Sequence, residues 1–194
     1  MKNMLFIMNP KAGRTTLKNS LVDVLEVFCN NDYAVRTYLT KSADDAERIV
    51  QEEGANYDVI VCAGGDGTLG NTVTGYMKSG IRVPLGYIPC GSTNDFARSM
   101  DIPRETVEAA EMIVKAEPFS IDIGSLNDKN FVYVAAFGMF SDTSYATPQN
   151  MKNIFGHAAY VLQGIKSLAN VPSYKMKVTI DGDEQEGEFI FGMV

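Results

Sequence analysis

Short apolar runs alternate with amphipathic segments over the first 115 residues or so of the chain. Segments 4–8 and 57–63 are apolar at nearly every position, which is typical of strands buried on both faces of a parallel sheet. Segments 33–40 and 83–89 predict two more strands. Between them, the segment 15–31 places its apolar residues on one helical face. The pattern therefore predicts repeated β-α units.

Residues that favour helix ends divide the amphipathic segments. Ser42 is a candidate N-cap for a helix that Gly54 ends, and a later helix should end near Gly80. Pro103 fits the first helical position of another helix. Short connections between such units imply right-handed crossovers. We expect a three-layer, Rossmann-like α/β domain with a parallel sheet.

The pattern changes after Pro118, where strand-like runs are joined by turn sequences. One hairpin is predicted across 126–130 and a second around Asp181 and Gly182. We therefore predict an α/β domain over 1–117 and a β-sandwich domain over 118–194, with an inserted helical segment around 142–170. The last residue, Val194, falls in or just after a strand, so we expect this second domain to be incomplete.

Composition narrows the class of protein. The net charge of −7 argues against a nucleic-acid groove or a polybasic membrane patch, which need clustered cations. A single histidine and three irregularly spaced cysteines predict reduced thiols and no zinc site. No apolar run reaches the length of a signal peptide core or a membrane span. A cytoplasmic protein is expected.

The candidate chemistry lies where the predicted strands end, because ligands of open α/β sheets bind at the carboxyl ends of the strands. The loops there begin at Asn9, Thr40, Gly64 and Pro89, and they are rich in glycine, hydroxyl and amide groups. Such loops attract phosphate oxygens through exposed backbone amides. We expect a phosphate site, in which asparagines either pin the loops or bind the ligand directly.

Asp66 lies inside the glycine-rich loop and decides between kinds of phosphate site. The Walker spacing G-x-x-x-x-G-K-[ST] is absent, and the match of Gly65, Gly67 and Gly70 to a dinucleotide fingerprint is weak by itself. A carboxylate beside phosphates is repelled unless a cation or a proton is present. This indicates Mg²⁺ with ATP and phosphoryl transfer. Alternatively, Asp66 caps the helix that follows it.

Five ordered motifs carry a family resemblance: NPKAGR from Asn9, GGDGTLGN from Gly64, PCGSTNDFAR from Pro89, IDIG from Ile121 and KNIFGHAAYVLQG from Lys152. The series resembles that of the diacylglycerol kinase catalytic-domain family, which includes sphingosine and ceramide kinases and many bacterial lipid kinases. The central loop is more distantly similar to those of NAD kinases and phosphofructokinases.

The resemblance implies a two-domain enzyme with its active site between the domains. Asp66 would be catalytic and, with Asp122, would bind Mg²⁺. Many members read T-L-N-E where this chain has Thr68, Leu69, Gly70 and Asn71, and the general base and further metal ligands are expected beyond Val194. ATP would be held by Asn9, Pro10, Lys11, Ala12, Gly13, Thr40, Gly64, Gly65, Gly67, Thr68, Ser92, Thr93 and Asn94.

The expected function is transfer of the ATP γ-phosphate to a lipid hydroxyl, with diacylglycerol as the first candidate. The expected partners are ATP, the membrane lipid, transiently at the inner face of the membrane, and a second copy in a homodimer; no nucleic acid is expected. By itself this segment is expected to be inactive. Two alternatives stay open: an NAD-kinase-like enzyme with a soluble substrate, and a non-catalytic nucleotide-binding module.

Overall fold

The computed structural model describes residues 1–12, 16–138 and 173–194. Gly13, the motif that begins at Lys152 and the predicted helical segment around 142–170 lie outside the described residues. The chain divides into two compact units, Met1–Tyr133 and Val134–Val194, and each is described by itself.

A four-stranded parallel sheet forms the centre of the first unit. Its strands are β1 (Lys2–Met8), β2 (Tyr33–Leu39), β3 (Val59–Gly64) and β4 (Leu85–Pro89), in the order β2-β1-β3-β4. Met8 of β1 is in register with Ala63 of β3, and Gly64 is in register with Pro89. The carboxyl ends of three strands therefore lie level, and the predicted parallel α/β sheet is confirmed.

Helices cover both faces of this sheet because β1 and β3 bury alternate side chains on opposite sides. The helices are α1 (Thr16–Asn30), α2 (Asp45–Glu53), α3 (Asp66–Ser79), α4 (Asp95–Ser99) and α5 (Thr106–Lys115). Phe6 packs with Phe28 of α1 and with alanines of α5, whereas Leu5 and Ile7 pack with Ile49 of α2. The α2 and α3 helices contact each other.

Two predicted helix starts are wrong. Ser42 caps nothing: α2 begins at Asp45, whose carboxylate accepts hydrogen bonds from the backbone amides of Lys41 at 2.7 Å and Ser42 at 3.1 Å. These bonds lower the pKa of Asp45 to about 2. Pro103 also precedes its helix, because Glu105 is the N-cap of α5 and accepts from Val107 N at 2.9 Å.

The predicted end of α3 is confirmed. Gly80 follows the last helical residue with φ of 69°, the left-handed conformation in which glycine has no steric penalty.

A short hairpin packs on α3 within the first unit. It consists of β5 (Gly124–Leu126) and β6 (Lys129–Phe131), as the turn sequence predicted. The amide of Asn130 donates to Thr74 Oγ1 of α3 at 3.1 Å, and Lys129 pairs with Glu47 of α2 at 3.0 Å. Because of these contacts the compact unit extends past residue 117. The domain boundary expected there stays a prediction.

The second unit contains small antiparallel sheets. Strand β7 (Ala136–Gly138) pairs with β10 (Phe191–Met193), and β8 (Tyr174–Ile180) pairs with β9 (Asp183–Phe189). The second pair turns at Asp181 and Gly182, with φ of 51° and 96°, as the predicted hairpin requires. Within the described ranges, no helix is long and apolar enough to cross a membrane.

Candidate functional site

Loops meet at the carboxyl edge of the parallel sheet through backbone hydrogen bonds. Asn9 N donates to Ala63 O at 3.0 Å, and Cys90 N donates to Gly64 O at 2.7 Å. The amide of Thr40, which is buried, donates to the carbonyl at the end of β1 at 2.9 Å. The structure therefore brings together the four loop starts in which the sequence placed the candidate site.

Asn9 joins the first loop to the glycine-rich loop. Its Oδ1 accepts from Lys11 N at 3.0 Å, and its Nδ2 donates to Thr68 Oγ1 at 3.0 Å. Because the Thr68 hydroxyl accepts this bond, its own proton is left to donate, and it has no acceptor among the described residues. Asn9 pins the loop, and Thr68 offers a donor to a ligand.

Glycines at this edge are required for two different reasons. A Cβ on Gly64 would lie 2.6 Å from Thr68 Cβ, and one on Gly91 would lie 2.6 Å from Gly65 Cα. Gly64 therefore leaves room for the Thr68 side chain, which follows the same strand, and Gly91 allows the loop after β4 to pack closely against the loop after β3. A Cβ on Gly67 would meet no atom of the described residues within 4 Å. The protein therefore leaves open the space beside Gly67, where a ligand can approach the backbone.

The amino terminus of α3 points its unpaired amides into this region. Gly65 is the N-cap and supplies no side-chain cap. The amides of Asp66 and Gly67 have no acceptor among the described residues. The start of a 14-residue helix carries partial positive charge, which favours a bound anion such as phosphate.

Asp66 is partly buried and lies in the first turn of α3, where the dipole of that helix favours an acid, but its side chain makes no capping hydrogen bond to α3. Its two carboxylate oxygens accept from Asp95 N at 3.2 Å and from Phe96 N at 3.3 Å, which are the first amides of α4. An ionised carboxylate has about four lone-pair positions, so two bonds leave capacity for a metal or a water. Asp66 thus connects the glycine loop to α4 and can still bind a cation.

Asn94 shapes the loop after β4. It has a left-handed φ of 52°, which asparagine tolerates better than most residues. Its Oδ1 accepts from Gly91 N at 2.8 Å and its Nδ2 donates to Gly91 O at 2.9 Å. With both groups engaged, Asn94 acts as a loop pin. The neighbouring Ser92 and Thr93 are exposed, as are Pro10 and Lys11 in the first loop.

Tyr87 is a residue that the sequence reasoning missed. Its buried hydroxyl donates to Gly64 O at 3.1 Å and lies 3.4 Å from Asn94 Oδ1. Burial, with a smaller contribution from the Asp66 charge, raises the pKa of Tyr87 above its usual range, so it stays a donor at neutral pH. In the sequence, the only indication of this role was a tyrosine within an otherwise apolar strand.

Asn71, where the chain departs from the family pattern, has a structural contact. Its Nδ2 donates to Ala43 O at 2.8 Å and so ties α3 to the segment before α2. Gly70 lies on the side of α3 that faces the β5-β6 hairpin: a Cβ added to it would lie 3.8 Å from Asn130 O, an ordinary contact.

No preformed metal centre exists among the described residues: no group of three or more Asp, Glu, His or Cys side chains could hold an ion there. Asp122, the second predicted metal ligand, is exposed, and the structure does not assemble it into such a group. Burial raises the pKa of Cys62 and Cys90 to about 12 in each case, so these thiols stay protonated.

Comparison with known proteins shows which family this chain belongs to. The family described as the diacylglycerol kinase catalytic domain matches residues 3–126, well over half of the chain. The chain belongs to this family. The match contains each loop of the candidate site and all of the parallel sheet except Lys2, the first residue of β1.

Relatives in this family extend beyond the chain. A diacylglycerol kinase of Bacillus subtilis (strain 168) is 35% identical over 196 residues, covering 100% of this chain and 65% of its own length. One of Staphylococcus aureus (strain JH9) is 35% identical over 191 residues, covering 96% and 60% respectively. A crystal structure of a diacylglycerol kinase from Bacillus anthracis str. Sterne matches with a TM-score of 0.79 at 28% identity, covering 99% of this chain and 63% of that one. The chain thus spans less than two thirds of these relatives.

Proposed function

We propose that the chain is the nucleotide-binding part, with the start of the lipid-binding part, of an ATP-dependent lipid kinase. The whole protein would transfer the γ-phosphate of ATP to a hydroxyl of diacylglycerol. The observations that carry the proposal are the open space beside Gly67, the free amides of Asp66 and Gly67, and the Thr68 hydroxyl, whose proton has no acceptor among the described residues. Membership of the diacylglycerol kinase catalytic domain family supports the choice of reaction.

ATP phosphates fit the amino terminus of α3. Backbone amides there and the Thr68 hydroxyl can donate to phosphate oxygens without first breaking an internal hydrogen bond. The loops that would contact the phosphates are held in place by hydrogen bonds from the side chains of Asn9, Asn94 and Tyr87. Such preorganisation is what phosphoryl transfer needs, since its catalysis is mostly positioning and charge stabilisation. The remaining proposed contacts are Pro10, Lys11, Ala12, Gly13, Thr40, Gly64, Gly65, Ser92 and Thr93.

The carboxylate oxygens of Asp66 are donors of the kind that Mg²⁺ prefers. Asp66 has free lone pairs, and Mg²⁺ is commonly held by one or two carboxylates together with water and substrate phosphates. Asp66, with Asp122 as a second proposed ligand, would hold the ion, which would neutralise charge on the transferred phosphate. In this chain Asp66 also orients α4, so it positions the loop after β4 against the glycine loop.

The lipid side of the proposal rests on the family alone. We propose that the complete protein is cytoplasmic, acts at the inner face of the membrane and makes transient contact with it, with a second, β-sandwich domain beginning near residue 118. A homodimer is part of the same proposal. By itself the chain would bind ATP without turnover.

The experiment is a transfer assay with γ-labelled ATP and Mg²⁺ on the chain and on the complete gene product. Substrates are diacylglycerol in mixed micelles and, separately, NAD. Label in the lipid with the complete product supports the proposal, whereas label in NAD alone would replace it with a soluble-substrate kinase. ATP binding without transfer by either protein would favour a nucleotide-binding module.

A matched pair of Thr68 variants tests the proposed ATP contact by ATP binding. Thr68→Val removes the hydroxyl, which is both a free donor and the acceptor for Asn9 Nδ2. Thr68→Ser keeps both. We expect about 10-fold weaker ATP binding for the valine variant and near wild-type binding for serine, because one hydrogen bond to a charged group contributes about 1.5 kcal/mol or more.

A further inference from the structure

A cavity of about 290 Å³ adjoins α4 and the segment that leads into α5. It shares a single residue with the loops of the proposed ATP site. Its size is near the lower end for small-molecule pockets, which suits a compact group. The lining residues are Asn94, Ala97, Arg98, Asp101, Ile102 and Arg104.

Two arginines of this cavity have no carboxylate partner in the described part of the chain. Other arginines differ: Arg36 pairs with Glu53, and Arg48 pairs with Glu52 at 2.7 Å. In a protein with a net charge of −7, two unpaired guanidinium groups beside one cavity form a local positive site. Guanidinium matches phosphate geometry because it can donate two parallel hydrogen bonds.

The apolar part of the lining would strengthen such binding, whereas Asp101 would weaken it. Ala97 is buried and Ile102 is partly buried, so one wall of the cavity is apolar. Electrostatic attraction is stronger beside a low-dielectric wall than in open water. Asp101 opposes it with a third charge, and it forms no ion pair with either arginine. The three side chains sum to a single positive charge, which favours one phosphate group over a polyphosphate.

We propose that this cavity is a second anion site, which binds one phosphate group through Arg98 and Arg104 and is separate from the proposed ATP site. The phosphate group belongs either to a soluble phosphate ester or to a phospholipid headgroup. Its single shared residue is Asn94, whose side chain is bonded to Gly91. The two arginines can therefore be changed without removing a contact within the loop.

Calorimetric titration of the chain with inorganic phosphate, in the presence of saturating ADP, tests the site. Arg98→Gln and Arg104→Gln should each weaken phosphate binding about 10-fold, because a charge-assisted hydrogen bond contributes about 1.5 kcal/mol or more. Asp101→Asn should tighten it several-fold by removing repulsion; asparagine also accepts the left-handed φ of 52° at this position. Thermal unfolding verifies that each variant is folded.

Arg82→Gln is the matched control, because Arg82 is exposed, lies outside the cavity and loses the same charge. It should bind phosphate as the wild type does. Equal weakening in all three arginine variants, or no effect in any, would overturn the proposal, as would weaker binding by Asp101→Asn. Because every comparison measures phosphate binding and the variants differ only at the cavity or at Arg82, the result stands even if the chain fails to bind ADP and the proposed kinase function is wrong.

Two further arms identify the source of the phosphate group. Glycerol 3-phosphate is titrated as the soluble ester, and sedimentation is measured with phosphatidylcholine vesicles that contain or lack phosphatidic acid. Arginine-dependent binding of glycerol 3-phosphate alone assigns the site to a soluble ester. Cosedimentation that requires phosphatidic acid and both arginines assigns it to a lipid headgroup. If neither glycerol 3-phosphate nor phosphatidic acid vesicles bind in a way that depends on the arginines, the inorganic phosphate is an adventitious ion only and the site is rejected.

Discussion

Replacing Gly67 with alanine should separate stability from ATP binding. Gly67 is exposed and lies in the first turn of α3, and a Cβ added to it would have no neighbour within 4 Å in the part of the chain that the structure describes. Its φ is outside the left-handed range, so alanine fits the backbone without strain. The added methyl group would occupy only the space in which we place the phosphates.

The two effects have opposite signs and can be sized from the structure. Alanine lowers the entropy of the unfolded chain and favours the helix, which should stabilise the protein by about 0.5 kcal/mol. If a phosphate occupies the open space, the methyl group must overlap with it. Overpacking costs about 1–3 kcal/mol, which corresponds to about 10-fold weaker ATP binding or more.

The assay combines urea unfolding with calorimetric titration of ATP and Mg²⁺. Gly70→Ala is the matched control: it adds the same methyl to the same helix, next to Asn130 O at an ordinary 3.8 Å. This variant should be slightly more stable and bind ATP normally. Gly91→Ala provides the contrast, since its Cβ would lie 2.6 Å from Gly65 Cα and 2.7 Å from Asn94 Oδ1. It should lose about 1–3 kcal/mol of stability.

Normal ATP affinity in a folded Gly67→Ala protein would refute the reasoning, because it would mean that no ligand uses the open side of the loop. Destabilisation by this substitution would refute the local geometry instead. The combination of higher stability and weaker binding is expected only if the glycine is kept for the ligand.

Other predictions concern charge and accessibility. Asp66→Asn should destabilise the chain by about 1 kcal/mol in unfolding assays, because it weakens the capping of α4, and should lower the rate of the proposed phosphate transfer by the complete protein about 100-fold. The exposed Asp23→Asn should change neither the stability nor the transfer rate. The hydrogen bond from Lys78, followed by the one from Lys129, lowers the pKa of Glu47 below its ordinary value of 4.5. The contacts of ionised Glu47 therefore contribute their full stability above pH 4.5, and this contribution is lost as the pH falls through the lowered pKa. Glu47→Gln should therefore lower the free energy of unfolding by about 1 kcal/mol at pH 7 and leave it unchanged in strong acid; the loss is small because both lysines are exposed. Unfolding curves that are equal for the two proteins at every pH would contradict this prediction. Maleimide should label Cys29 alone in the native protein, and labelling of the two buried cysteines as well would contradict their burial.

Pattern reasoning located the sheet better than the starts of helices. Each strand of the parallel sheet forms within about two residues of its expected bounds, because apolar runs buried on both faces leave few alternatives. Ser42 and Pro103 misled because several residue types can begin a helix. Asp45 and Glu105 accept backbone hydrogen bonds from residues only four and two positions away, but other polar residues lie equally near each helix start, so the local pattern does not distinguish them.

The candidate site was foreseen in its location and only partly in its contacts. Loops at the carboxyl ends of parallel strands must meet at one edge, so Asn9 and Gly64 could be grouped from the strand pattern alone. Tyr87 could not, because its importance depends on a hydrogen bond to Gly64, 23 residues away. The arginines of the second anion site were overlooked for the same reason: an unpaired charge is recognised only when its surroundings are known.

The sequence alone determined the α/β class, the parallel sheet, the family and the edge of the sheet that bears the candidate site. These follow from periodicity, glycine placement and motif order, which are local properties of the chain. Tertiary structure alone decided that Asp66 binds the amides of α4 and that Gly91 serves close packing while Gly67 borders free space. Such roles depend on which distant atoms come within a few ångströms, and residue identity does not specify that.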